Sequence, residues 1–187
     1  MHDGVPRLLT PVACVLLCLA AAPLAAPAAI AAPTDGKPIA SAHTGKCVDV
    51  AQSSGADGGS VIQWPCHKGQ NQGWTFDKVY GQLDNVRMVR NVHSNRCLDI
   101  TGKSTVNGAV AHQWDCEIGR QNKDASGKSQ LWQLKPRGSA RGWTYYQLVN
   151  VNSKKCLDLP NGSNTDGTKL VQWDCNDAQN QQWRILS

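Results

Sequence analysis

The sequence predicts an all-β fold assembled from three copies of one unit around an axis. Three observations carry this reading. Six cysteines fall in three pairs, Cys47/Cys66, Cys97/Cys116 and Cys156/Cys175, each separated by 19 residues. Six of the seven tryptophans occupy repeated positions relative to those cysteines, Trp143 being the exception. After residue 33 no window shows a helical stripe. Instead, short runs of Val, Ile, Leu and Trp are bounded by Gly, Asn, Asp and Ser, which is a strand pattern.

Each unit reads the same way along the chain. It opens on a tripeptide, Cys47-Val48-Asp49, Cys97-Leu98-Asp99 or Cys156-Leu157-Asp158. A turn dipeptide follows: Asp57-Gly58, Asn107-Gly108 and Asp166-Gly167. These predict two-residue hairpin turns near the middle of each unit, with both central residues at φ > 0. Next comes a Gln-Trp pair: Gln63-Trp64, Gln113-Trp114 and Gln172-Trp173. A Q-x-W closes each unit at Trp74, Trp132 and Trp183. A unit of a few short strands cannot bury one face alone, whereas three around an axis can.

Six cysteines allow 15 pairings. Threefold repetition favours two of them: bridges within each unit, or bridges from each unit to the next. The constant spacing favours the first, because each bridge then closes a loop of fixed size. Such a loop contributes about 3 kcal/mol in the chain-entropy model. With one Phe and much Gly and Ser, the apolar core is modest, and bridges compensate.

The first 31 residues read as a secretory signal peptide. Arg7 precedes an apolar, Ala-rich run that ends in small residues at Ala29-Ile30-Ala31. Pro11, Pro23 and Pro27 interrupt the run and disfavour a spanning helix. Residues 32–42 read as a short linker, and 43–187 as the folded domain. Export to the extracellular space is the expectation, without membrane insertion. An even cysteine count in an exported chain fits a disulfide framework. No C-x-x-C or histidine spacing suggests a zinc site, so neither metal nor cofactor is expected. The net charge of +5 is dispersed, with Lys154-Lys155 the only adjacent basic pair, and no nucleic-acid groove is expected.

The C-[VL]-D opening, the aromatic two residues before the second cysteine and the closing Q-x-W together resemble ricin B-type lectin domains. The resemblance runs from about His43 to Leu186. It implies a β-trefoil: a six-stranded barrel capped by three hairpins, with up to one shallow sugar pocket per unit. Its partners would be mono- or polysaccharides or glycoconjugates.

The residues themselves fit such a pocket. A carboxylate accepts two hydroxyl hydrogens at once, as adjacent ring hydroxyls present them. An indole offers a flat apolar wall beside those few polar groups. Asp49, Trp64, His67, Asn71 and Gln72 form one expected set. Asp158, Trp173, Asn176, Asn180 and Gln181 form another. The resemblance implies that in each set the Gln of Q-x-W is partly structural, and that Trp74, Trp132 and Trp183 are core. The middle set, Asp99, Trp114, Ser129 and Gln130, departs from the pattern. Ser129 stands where the others have Asn, at the end of the segment EIGRQNKDASGKS, which carries the insertion of this unit. The middle site is therefore expected to be weak or altered. In plant relatives a Gln often stands two before the aromatic. Here Ile62, His112 and Val171 do, which puts plant-like galactose preference in question. Gln63, Gln113 and Gln172 are the alternative amides.

Enzyme readings find little support. There is no G-x-S-x-G, and the GKS tripeptides lack a P-loop's first glycine. A glycosidase needs two carboxylates within about 5–10 Å, and no second acid repeats beside the Asp. A non-catalytic lectin is the leading expectation. The competing classes are a protein-binding or inhibitor trefoil and, more distantly, a glycoside hydrolase.

Overall fold

A computed structural model describes residues 1–2, 36–117 and 125–187. The expected signal peptide and residues 118–124 of the insertion lie outside the described residues. Among the described residues, twelve short strands form one sheet. The first unit holds β1 (Lys37–Ser41), β2 (Cys47–Val50), β3 (Val61–Trp64) and β4 (Gly73–Lys78). The second holds β5 (Val86–Asn91), β6 (Cys97–Ile100), β7 (Ala111–Trp114) and β8 (Leu131–Ala140). The third holds β9 (Trp143–Asn150), β10 (Cys156–Asp158), β11 (Val171–Trp173) and β12 (Trp183–Ile185).

The outer strands of each unit close a barrel. β1 pairs with β4, β4 with β5, β5 with β8, β8 with β9, β9 with β12, and β12 with β1. Full closure leaves no unpaired edge in the ring. The inner hairpins β2–β3, β6–β7 and β10–β11 cap one end. They meet one another through the bridges Ser60↔His112, Ile62↔Lys169 and Val110↔Val171. This is a β-trefoil. The expected linker is corrected at its end: β1 lies within 32–42 and supplies a barrel strand. Pro38 sits in β1 opposite Gly73, where its missing N–H is tolerated in so short a strand.

The core explains which tryptophans the chain buries. Trp74, Trp132 and Trp183 are fully buried with Ile39, Val48, Leu98, Leu148 and Leu157. Each indole donates Nε1–H to a cap-hairpin carbonyl: Val48 at 3.0 Å, Leu98 at 2.9 Å and Leu157 at 3.1 Å. A buried tryptophan thus fills space and satisfies a buried carbonyl of its own unit. The disulfides Cys47–Cys66, Cys97–Cys116 and Cys156–Cys175 all lie within units. Each ties the start of an inner hairpin to the residue two past its tryptophan.

The turn expectation needs correction. Gly58, Gly108 and Gly167 have φ of 77°, 81° and 80°, but the residues before them do not have positive φ. These glycines sit in longer loops between inner strands, and they dock each unit on the next. Gly58 N–H donates to Gln113 O, Gly108 N–H to Gln172 O, and Gly167 N–H to Gln63 O, at 2.8–3.0 Å. The contacts run from first to second, second to third, and third back to first.

Candidate functional site

The inner hairpins set the site geometry. In the first, Asp49 lies opposite Ile62, two residues from Trp64 on the paired strand. Alternation along β3 puts Trp64 on the same face as Ile62. The short 3-10 turn Gln70–Gln72 then brings two amides beneath the carboxylate. Asp49 Oδ2 accepts from Asn71 Nδ2 at 3.0 Å and from Gln72 Nε2 at 2.8 Å. His67 Nε2 lies 3.4 Å from the same oxygen. His67 Nδ1 accepts from Gly69 N–H at 2.9 Å, which leaves the neutral ring's proton on Nε2. One carboxylate oxygen is held by side chains, and Oδ1 is left for another donor.

These residues enclose a cavity of about 460 Å³, lined by Asp49, Ile62, Trp64, His67 and Asn71. Trp64 keeps 42% of its surface exposed, against 0% for Trp74. The two tryptophans of the unit are therefore sorted, one to the cavity and one to the core. Burial pushes the Asp49 carboxyl above its ordinary value, opposed by the amides and by His67.

The third unit repeats the arrangement. Asp158 Oδ2 accepts from Asn180 Nδ2 at 3.0 Å and Gln181 Nε2 at 2.7 Å. Burial again raises the carboxyl. Trp173 is 47% exposed. Asn176 takes the position of His67, with its Oδ1 accepting from Ala178 N–H at 2.9 Å. Gln72 and Gln181 are fully buried and position the carboxylate instead of facing solvent. They also bind backbone locally: Gln72 donates to Pro65 O, and Gln181 to Asp174 O.

The middle unit is built differently. Gln130 still donates to Asp99 Oδ2, at 3.1 Å. Ser129, buried, leaves its hydroxyl without a hydrogen-bond partner. Asp99 Oδ1 instead accepts from its neighbour Ile100 N–H at 2.6 Å. The oxygen left open in the other units is engaged here. His112, opposite Asp99 in the register, stacks on Trp114 with ring centres 5.4 Å apart. Burial lowers its pKa, against the pull of Asp99 and Asp57. Lys103 and Glu117 pair at 2.9 Å, and both line a wider cavity of about 710 Å³.

Gln63, Gln113 and Gln172 do not replace the plant-type glutamine. Each is fully buried and clamps two units together. Gln113 Nε2 donates to Ser54 O and Ala56 O of the first unit, both at 2.8 Å. Its Oε1 accepts from Ser94 Oγ at 2.6 Å. Gln63 and Gln172 do the same with Ser163 and Thr165, and with Ser104 and Val106. The sequence signal for this clamp was a hydroxyl three before each first cysteine, Thr44, Ser94 and Ser153.

A carboxylate pinned from below, an amide or imidazole at its side and an exposed indole recur in the first and third units, an arrangement whose chemistry suits a small ligand. On a β-trefoil this defines a lectin-type domain. Residues 36–183 match the ricin-type beta-trefoil lectin domain, and the chain belongs to that family. It is similar to ThreeFoil, a designed threefold-symmetric protein. The two share 32% identity and a TM-score of 0.70, over 81% of this chain and 97% of that one. An exo-beta-1,3-galactanase from Clostridium thermocellum shares 25% identity at TM-score 0.69. The match covers 82% of this chain and 30% of the galactanase. The ricin B-like lectin of Macrolepiota procera, solved with lactose, shares 22% identity and the fold, at TM-score 0.62 over 80% of this chain and 93% of that one.

Proposed function

We propose that the protein is an exported, non-catalytic lectin that binds glycan hydroxyls at Asp49 and Asp158 and stacks sugar on Trp64 and Trp173. The observation that carries this is the carboxylate geometry. In both units the amides hold Oδ2, so Oδ1 stands ready to accept from a sugar hydroxyl beside an exposed indole. Asn71 and Asn180, with His67 and Asn176 at the rim, supply the complementary polar groups. The middle pocket is a weaker or differently selective site, because the second oxygen of Asp99 is engaged by the backbone N–H of Ile100. The lactose carried by the Macrolepiota procera lectin supports sugar as the ligand class. Three intra-unit disulfides support an oxidising compartment.

Binding to a glycan array and to insoluble polysaccharides, repeated with Trp64→Ala plus Trp173→Ala, tests the reading. Binding by the native protein and its loss in the double variant is the expected result. Absence of binding to every glycan, or retention of full binding by the variant, would overturn it.

A further inference from the structure

The hairpin β8–β9 is longer than its counterpart β4–β5 and builds a groove beside the third pocket. Two of its features are irregular. The register shifts between Pro136 and Gly138, so Arg137 is the extra residue of a β-bulge. Bulges re-aim side chains, and Arg137 is turned onto Asp177, with which it pairs. At the tip, Arg141 and Gly142 have φ of 53° and 80°. Two positive φ values suit a tight hairpin turn, but Asn, Asp or Gly is the usual first residue there. Here an arginine takes that place.

Arg137, Arg141, Ser139, Tyr145, Gln179 and Gln182 line a cavity of about 440 Å³. The lining holds two guanidinium groups and no carboxylate. Its link to the third pocket is covalent and short. Gln179 faces the groove, and the next residue, Asn180, donates to Asp158. Asp177 pairs with Arg137, and the residue before it, Asn176, holds the position that His67 has in the first unit. Gln147 of β9 ties the hairpin to the same loop by donating to Asn176 O. Asp177 is 85% exposed, so its pair with Arg137 is weak and open to competition.

We propose that this groove is an anion subsite, taking the carboxylate or sulfate of an acidic sugar that flanks the residue seated at Asp158. This rests on the sugar-pocket reading of the third unit. Arg137 exchanges Asp177 for the ligand anion, and Arg141 closes on it as a planar donor suited to both groups. The third unit would thus select acidic polysaccharide.

The test compares binding of polygalacturonate with its methyl ester, and of dextran sulfate with dextran, at physiological ionic strength. Arg137→Gln plus Arg141→Asn removes the charges, and Asn tolerates the left-handed turn. Lys37→Gln plus Lys78→Gln removes equal charge elsewhere. The native protein should bind a charged polymer at least tenfold more tightly than its neutral counterpart. The arginine variant should lose that difference and the lysine variant keep it. Preference for polygalacturonate alone assigns the groove to carboxylates, and preference for dextran sulfate alone to sulfates. No charge preference, or equal loss in both variants, overturns the proposal. If neutral glycans bind and the arginine variant changes nothing, the groove reading falls and the pocket reading stands. If acidic chains bind through the arginines while Asp158→Ala changes nothing, the pocket reading falls at this unit.

Discussion

At the residue scale the recurring device is a carboxylate buried for use. Burial holds Asp49 and Asp158 above the ordinary carboxylate value of 3.8. Unfolded, both release their protons near that value. Between it and the raised value the folded state carries more protons, so these groups make stability fall as pH rises through that window. Asp158→Asn keeps an oxygen for Asn180 and Gln181 to bind but removes the charge. Its unfolding midpoint should fall less steeply than the native one as pH rises above the ordinary carboxylate value, and should lie higher once the native carboxyl has ionised. Sugar binding at that unit should be lost. A native-like pH slope in the variant would contradict this account of Asp158. The division of tryptophans was legible through the family resemblance, which made the Q-x-W indole of each unit core, and the other indole is the last residue of an inner strand. The competition at Asp99 was not legible. It depends on Ser129 being too short to serve the carboxylate, so that Oδ1 turns to the backbone of Ile100.

At the scale of elements the three units hold one another through the Gln that precedes each exposed tryptophan. Removing Gln113 takes the side-chain donor from the carbonyls of Ser54 and Ala56 and an acceptor from the hydroxyl of Ser94, although Ala56 O keeps Gly59 N–H and Ser94 Oγ keeps Arg96 N–H. An unsatisfied buried group costs about 1–3 kcal/mol. Gln113→Ala should therefore lower unfolding free energy by about 1–2 kcal/mol, read from denaturant titration. A loss below about 0.5 kcal/mol would show that the clamp is dispensable. The spacing of repeats implied three alike units but not what joins them, because every partner of Gln113 is distant in sequence or in the next hairpin. β1 escaped notice for a related reason. Lys37 and Pro38 dilute its strand pattern, and pairing with β12 and β4, both distant in sequence, makes it a strand.

At the scale of the molecule, two or three shallow pockets on one rigid barrel would, on the proposed reading, engage a polysaccharide together. The gain over a single pocket comes from effective concentration. Ser129→Asn should restore the missing amide beside Asp99 and raise avidity for a polymeric glycan without changing affinity at the other pockets. Surface-immobilised polysaccharide would show slower dissociation. Unchanged dissociation would mean that His112 and its stack on Trp114, and not Ser129, set the character of the middle pocket.

The seam between β1 and β12 carries one more consequence. Ile39 faces Ile185 across it, with the same antiparallel pairing that joins every other neighbour in the ring. A ring whose contacts run from each unit to the next has no first member. The order in which the ribosome delivers the units is therefore free to change. A circular permutant that joins Ser187 to Gly36 through a short Gly-Ser link, and opens between the exposed Tyr80 and Leu83, should fold with all three cystines and keep both pockets. Intact disulfides on non-reducing peptide maps, with unaltered glycan binding, would confirm it. Scrambled pairing would mean that the seam is more than one join among six.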